Sequence, residues 1–132
     1  MTIKRHDCVV DEIYTKIIEV KLNNKYDRNI KWHKLNNVGF IQSGKTLRKI
    51  GNFEGNNLKP DIVFCNEEEL IIIEVAICFE DLVSTRINQK SEKYERLFVE
   101  LIRTYNPIKS NYIVVVVTTS GILASMSRIK LR

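Results

Sequence analysis

The chain has 132 residues, 44% of them hydrophobic and 28% charged, which is typical of one globular domain and excludes a disordered or fibrous chain. No apolar run is long enough to cross a membrane, and the opening residues lack the hydrophobic segment of a secretory signal, so no membrane contact is expected. The formal net charge of +5 favours a polyanionic partner such as nucleic acid, and three cysteines without a CxxC pair favour an intracellular location.

The first half of the chain predicts one helix followed by loops and short strands. Apolar side chains recur at helical spacing over residues 9–22, and Asp7 is the expected N-cap of that helix. The polar residues 23–37 predict a loop, and residues 38–42 predict a short strand. The glycines and asparagines of residues 43–57 predict turns around one further short strand.

The second half of the chain predicts longer elements. Residues 62–64 and 70–75 are two apolar runs that predict a hairpin, and residues 81–105 have helical spacing up to the Asn-Pro pair that follows them. The β-branched run of residues 112–118 predicts a central strand covered on both faces, and residues 122–128 predict a last helix. This order predicts an α/β fold with a mixed sheet flanked by helices, because a strand–helix–strand crossover joins parallel strands.

Two carboxylates stand at the edges of the predicted hairpin strands. Glu74 follows a run of four aliphatic residues, and Asp61 opens the preceding run. An ionised carboxylate inside a buried strand is costly unless it is paired or binds a metal. Because paired strands are neighbours, Asp61 and Glu74 are expected to reach one point and to form a divalent-metal site from carboxylate oxygens.

The helix predicted over residues 81–105 carries lysines where its apolar face should continue. Lys90 falls in a stripe that is otherwise apolar or aromatic, and Lys93 lies at its edge. Each lysine either extends to solvent or directs its ammonium group at the two acids. In the second case the positive charge favours ionised carboxylates and stabilises a phosphoryl oxyanion. Two acids, a lysine and a divalent metal are the components of phosphodiester hydrolysis.

Three stretches together resemble the restriction-like endonuclease domain of site-specific non-LTR, or LINE-type, retrotransposons, within the PD-(D/E)XK nuclease superfamily. Residues 5–10 (RHDCVV) are similar to the opening of the first helix in that domain. Residues 59–64 (KPDIVF) with 72–76 (IIEVA) are similar to its central hairpin, and residues 90–94 (KSEKY) to its Lys-x-x-Lys-Tyr helix. The likeness runs from residue 5 to about residue 121. It implies one restriction-endonuclease-like domain over residues 1–132, with the core order αβββαβ.

The resemblance also implies a set of catalytic residues and a cofactor. Asp61 and Glu74 would bind Mg²⁺ or Mn²⁺, and the protein would be a metal-dependent endodeoxyribonuclease that nicks a DNA target. The superfamily places a lysine two residues after the glutamate, where this chain has Ala76. In the retrotransposon-type domain that lysine comes from the following helix, so Lys90, Lys93 or both would supply the catalytic cation.

Further residues and partners follow from the same resemblance and from the basic clusters. Tyr94 would support the site or contact phosphate, and Glu12 is the acid of the first helix that would join it. The residues expected to contact DNA are Arg5, His6, Lys45, Arg48 and Lys49. Cutting both strands calls for a homodimer or two sequential nicks. Neither a reverse transcriptase nor a zinc knuckle lies within these residues, so a free-standing protein and a fusion to a reverse transcriptase in a longer protein are both open, with a nuclear location in a eukaryote.

Two other functions compete with an active nuclease. The same fold with a lapsed site would be a DNA-binding module that holds DNA through its basic face. Residues 39–46 (GFIQSGKT) also match the pattern G-x-x-x-x-G-K-[ST] of a nucleotide-binding P-loop. That pattern needs a buried strand before it and a helix after it, and the flanking residues favour neither.

Overall fold

The computed structural model describes residues 2–35, 39–44, 49–50, 53–54, 59–78, 95–118 and 123–129. Helix α1 spans Thr2–Leu22, and residues 95–105 are helical and are labelled α2. The strands are β1 (Trp32–Lys34), β2 (Phe40–Ser43), β3 (Lys49–Ile50), β4 (Phe53–Glu54), β5 (Ile62–Cys65), β6 (Glu69–Cys78), β7 (Lys109–Thr118) and β8 (Leu123–Ile129). No helix in these ranges is long and apolar enough to span a membrane.

Six of the strands form one mixed sheet, so the chain has an α/β fold. The order across the sheet is β1-β2-β5-β6-β7-β8, while β3 and β4 form a separate two-stranded ribbon. β6 and β7 are parallel, and the other neighbours in the sheet are antiparallel. A parallel pair needs a crossover connection, and α2 lies on the segment that joins β6 to β7. The predicted mixed sheet with a crossover helix is confirmed.

Two apolar cores cover the opposite faces of this sheet. Successive residues of β7 alternate between them, with Val114 and Val116 in one core and Val115 and Val117 in the other. The first core contains Leu97, Phe98 and Leu101 from α2, and the second contains Val10, Tyr14, Ile17 and Ile18 from α1. β7 is therefore the doubly covered central strand that its β-branched run predicts.

Helix α1 begins earlier than its apolar spacing predicts. It starts at Thr2, so Asp7 lies inside the helix and the prediction of Asp7 as N-cap is wrong. The apolar spacing identifies only the part of the helix that packs on the sheet, and the polar turns before that part carry no such pattern. Asn23 and Asn24 follow the helix with φ values of 52° and 59°, a backbone conformation that asparagine tolerates well.

The C-terminal element is a strand where a helix was predicted. Residues 122–128 fall almost entirely within β8, which pairs antiparallel with β7. Without β8, the long strand β7 would expose a row of unpaired backbone groups at the edge of the sheet. Short segments take their structure from such pairing more than from their own spacing. The predicted loop over residues 23–37 likewise contains β1, which is held by pairing with β2.

The hairpin of β5 and β6 is confirmed and has a defined turn. Its register pairs Cys65 with Leu70 and Ile62 with Ile73. The side-chain oxygen of Asn66 accepts hydrogen bonds from the backbone N–H groups of Glu68 and Glu69, both at 2.8 Å. These bonds fix the turn and therefore the register.

Gly39 fits a close approach between β2 and the end of β5. Its φ of 117° is unfavourable for other residues, and a Cβ atom there would overlap the carbonyl oxygen of Cys65. Gly44, at the other end of β2, has a φ of 65° but no atom within 4 Å of where a Cβ would lie. The first position therefore requires glycine for space as well as for backbone conformation, whereas the second requires it for conformation alone.

We expect Gly39→Ala to lower the free energy of unfolding by at least about 2 kcal/mol, because it combines strain with a backbone clash. Gly44→Ala, the matched control, should cost about 1 kcal/mol, since only the left-handed backbone conformation is penalised. Urea unfolding followed by circular dichroism measures both values. Equal losses in the two variants would contradict the clash at Gly39.

Candidate active site

The side chains of Asp61 and Glu74 meet where β6 extends past the start of β5. The register that pairs Ile62 with Ile73 places residue 61 beside Glu74, and a hydrogen bond from the Glu74 side chain contributes to lowering the pKa of Asp61. Glu74 has 0% of its surface exposed, and both its carboxyl oxygens are shielded from solvent. Its neighbours along β6, Ile72 and Ala76, belong to the α2 core. The structure thus brings together the two acids that the sequence singles out.

The Asp61 carboxylate is held by three groups. Its Oδ2 atom accepts hydrogen bonds from the backbone N–H of Val75 at 2.7 Å and from the His6 ring at 3.1 Å. Burial raises the pKa of Asp61, but the hydrogen bonds from His6, Val75 and Glu74 outweigh it and hold that pKa below its ordinary value. Asp61 is therefore ionised at neutral pH, although its side chain is only 14% exposed.

His6 reaches this site from helix α1. Its Nε2 lies 3.1 Å from Asp61, and its Nδ1 lies 3.3 Å from the carboxylate of Asp7. Both ring nitrogens can donate only in the imidazolium form, so two carboxylates favour a positively charged ring. The sequence marks His6 as a DNA contact, and the structure places it on the candidate metal ligand. In the sequence, the adjacent His6 and Asp7 marked this part of the helix as a candidate site. No pattern of neighbouring residues, however, indicates that His6 contacts Asp61.

A cleft of about 460 Å³ opens beside these groups on the α1 side of the sheet. It is lined by His6, Asp7, Cys8, Val10, Asp11, Lys31, Ser43, Gly44 and Asp61. Asp11 forms an ion pair with Lys31, whose ammonium also lies over the Tyr14 ring, 4.8 Å from its centroid. Glu12, the acid expected from the first helix, is exposed and does not line this cleft. Asp7 and Asp11, one helical turn apart on a shared face of α1, are the acids that this helix brings to the cleft.

Gln42 is a buried polar residue that the sequence analysis missed. It is 0% exposed on β2, and its side-chain amide donates to the carbonyl oxygen of Pro60 at 3.3 Å. The backbone N–H of Gly44 donates to the carbonyl oxygen of Asp61 at 3.0 Å. These two bonds tie the residues around Asp61 to β2 and thereby fix where β5 begins. A glutamine inside an apolar strand was the signal in the sequence.

Other predicted site residues lie outside the described residues. Lys45, Arg48, Lys90, Lys93 and Tyr94 are in this group. Arg5 is within α1 and Lys49 within β3, but only their backbone is described. Their roles stay predictions from the sequence.

The string GFIQSGKT has a different conformation from a phosphate-binding loop over the residues that are described. Residues 40–43 form β2, which is paired on one side with β1 and on the other with β5. Its backbone amides are therefore engaged in the sheet and cannot surround a phosphate. Lys49 and Ile50, shortly after the string, form β3 instead of a helix. The expectation that the flanking residues do not favour a P-loop is confirmed for these residues.

The acid pair fits a hard divalent cation. Asp61 accepts a hydrogen bond from Glu74, so a proton lies between these two acids, and a divalent cation would offset the charge of both if that proton left. Carboxylate oxygens suit Mg²⁺ and Mn²⁺, and Mg²⁺ is often held by only one or two carboxylates while it keeps several waters. Over the described ranges no group of three or more acidic, histidine or cysteine side chains is placed to hold a metal. Asp61 and Glu74 are the side chains to which the resemblance assigns such an ion.

Comparison with known proteins adds no relative: no protein-family model matches this chain, and no curated protein matches it either.

Because the Asp61 pKa is lowered by folding, this carboxylate stabilises the protein at neutral pH. Its contribution is complete above the ordinary pKa of 3.8 and is lost as the pH falls through the lower value of the folded state. As the pH is lowered from about 5 to about 2, we expect the free energy of unfolding to fall less in Asp61→Asn than in the native protein. Urea unfolding at each pH measures this.

The control for this measurement is Glu67→Gln, which replaces an exposed acid in the β5–β6 turn. It should leave the acid dependence of the native protein unchanged. An Asp61→Asn variant as acid-sensitive as the native protein would show that the carboxylate is not stabilised by its hydrogen bonds.

Proposed function

We propose that the protein is a divalent-metal-dependent DNA endonuclease of the restriction-like type, similar to the endonuclease domain of site-specific non-LTR retrotransposons. The observation that carries the proposal is the meeting of the Asp61 and Glu74 carboxyl groups on paired strands, with Asp61 kept ionised by His6 and the Val75 N–H. A bound Mg²⁺ or Mn²⁺ would act as a Lewis acid toward the phosphodiester and would acidify an attacking water.

The order of elements supports this fold assignment. Helix α1 is followed by β2, β5 and β6 as an antiparallel set, then by α2, and then by β7 parallel to β6. With the short strands β1, β3 and β4 set aside, this sequence of elements is compatible with the αβββαβ order that the resemblance implies. The candidate acids lie on the second and third of those three strands or directly before them, as the central hairpin of that domain requires.

The chain's own residues prepare the site in three ways. His6 and the Val75 N–H orient the Asp61 carboxylate and keep it ionised. The apolar neighbours of Glu74 exclude water, so electrostatic interactions at this point are stronger than they would be in solvent. The net charge of +5 attracts the DNA backbone, and Lys90 and Lys93 are proposed to offset the charge that builds up on the phosphoryl oxygens.

We expect plasmid nicking in Mn²⁺ to fall at least about 100-fold in Asp61→Asn and in Glu74→Gln, since each removes a proposed metal ligand. Glu67→Gln, on an exposed turn residue, should nick like the native protein. Isothermal titration with Mn²⁺ should show weaker binding in the first two variants only. Equal nicking in an excess of EDTA would refute a metal-dependent mechanism.

The double variant Lys90→Ala/Lys93→Ala separates charge stabilisation from metal binding. We expect nicking to fall about 100-fold or more while Mn²⁺ binds as in the native protein, because the lysines are proposed to act on the phosphate and not on the metal. Lys16→Ala, which removes a lysine exposed on α1, is the matched control. Undiminished nicking by the double variant would remove both lysines from the mechanism.

A lapsed DNA-binding module of the same fold is the second candidate. It is favoured by Ala76, which is fully buried where the wider superfamily has its strand lysine, and by Asp61 Oδ2, which already accepts two hydrogen bonds. Salt-sensitive DNA binding without nicking in either Mg²⁺ or Mn²⁺ would support this candidate over the enzyme.

A further inference from the structure

Trp32 is a large aromatic side chain left open at the edge of the sheet. It lies on the three-residue edge strand β1 and is 46% exposed. It is also the only tryptophan in the sequence. Nothing in the site described above uses it, although a solvent-facing tryptophan loses the benefit of burying a large apolar ring.

The strand register places Trp32 on the face of the sheet that carries Glu74. Trp32 pairs with Gln42, so the two side chains point the same way, and Gln42 alternates with Ile41 of the α1 core. Glu74 lies between Ile72 and Ala76 of the α2 core, so it points to that same side. His33 points to the opposite side, where its ring packs against Tyr26.

Trp32 lies at the exposed edge of the sheet, whereas Glu74 is buried within it. β1 and β6 are three strand spacings apart, and the row through Trp32 reaches β6 at Ile72, two residues before Glu74. Ideal strand geometry then separates residues 32 and 74 by about 16 Å. Gln42, Val63 and Ile72, the residues in the row between them, are buried, so a nucleic acid at Trp32 contacts the edge of the sheet and not this face.

The surroundings of Trp32 are basic. Residues 25–34 contain four lysine or arginine residues and one aspartate. Lys31 is paired with Asp11, whereas Lys25, Arg28 and Lys34 are exposed and have no ion pair among the described residues. Lys34 lies two residues after Trp32 on the same strand and therefore on the same face. An aromatic ring flanked by cations complements a polyanion that carries flat apolar groups.

We propose that Trp32 is a stacking platform for an unpaired nucleobase, with Lys34 and Arg28 contacting the adjoining phosphates. Paired bases in a duplex are already stacked and offer no free face, whereas single-stranded bases stack readily on aromatic side chains. The preferred ligand is therefore single-stranded DNA, or DNA that contains a single-stranded segment. The choice of DNA as the nucleic acid rests on the proposed function, but the stacking itself does not. A strand of three residues bearing a lysine is a poor template for pairing with a second copy.

The test uses the fluorescence of the single tryptophan. Titrating the native protein with a 12-nucleotide oligothymidine should quench that fluorescence at saturation, and a 12-base-pair duplex should quench it much less. With a fluorescein-labelled oligothymidine followed by anisotropy, Trp32→Ala should bind about tenfold more weakly, and Trp32→Phe should keep most of the affinity because the ring remains. Duplex binding should change less than about twofold in both variants.

Ile108→Ala is the matched control, because Ile108 is 82% exposed just before β7, whose first residue pairs with the first residue of β6, and it is not on β1. It should bind like the native protein. If Trp32→Ala fails to fold by circular dichroism, the native quenching and the Trp32→Phe affinity still decide the matter. Unchanged Trp32 fluorescence at saturating oligothymidine would overturn the proposal, as would fluorescence that changes with protein concentration alone, which indicates a second copy on this surface.

The two proposals fail in different ways. Quenching by single-stranded DNA in a protein that never nicks would refute the endonuclease and leave the stacking platform intact. Nicking that is equally fast in the native protein and in Trp32→Ala, on a substrate with an unpaired segment, would refute the platform and leave the endonuclease intact.

Discussion

The Asp61 carboxylate connects three parts of the fold that are far apart in the sequence. Its Oδ2 atom accepts hydrogen bonds from His6 on α1 and from the backbone of Val75 on β6, while residue 61 itself leads into β5. Since β5 ends its pairing at this point, the Asp61 side chain takes the place of a strand neighbour for the Val75 N–H. One ionised group thus fixes the angle of the helix, the start of a strand and the charge of the site.

The burial of Glu74 is the main energetic cost of this arrangement. The two cores satisfy the apolar side chains on both faces of the sheet, and an acid inserted into one of them contributes no packing that an aliphatic residue would not provide better. Such a cost is usual where a buried group has a chemical task. The neighbouring Asp61 carboxylate increases the cost, because two acids at one point favour a cation or a proton between them.

Opposite ends of the sheet have different surroundings. The hairpin turn between β5 and β6 is closed by Asn66 and by the ion pair of Lys21 with Glu69, so that end is structural. The acid pair, His6 and the cleft lie toward the other end of the β5–β6 hairpin. The short edge strand β1 carries Trp32 on the face opposite the cleft, and among the described residues no strand pairs with its outer edge.

The sequence by itself determined the elements whose signal is local. The apolar runs and the turn residues predicted the β5–β6 hairpin, the run of β-branched residues predicted β7, and the Asn-Pro pair predicted the end of α2. The hairpin also sufficed to predict that Asp61 and Glu74 are neighbours, because antiparallel pairing depends on a short connection. These features follow from interactions between residues that are close along the chain.

Only the tertiary structure decided the features that depend on distant partners. Residues 123–129 form a strand because β7 offers an open edge, and His6 contacts Asp61 because α1 packs across the sheet at that angle. The exclusion of Glu12 from the cleft and the orientation of Trp32 likewise follow from packing and register. Pairing and packing across tens of residues leave no local pattern, so the spacing of residues in the sequence had no means of indicating them.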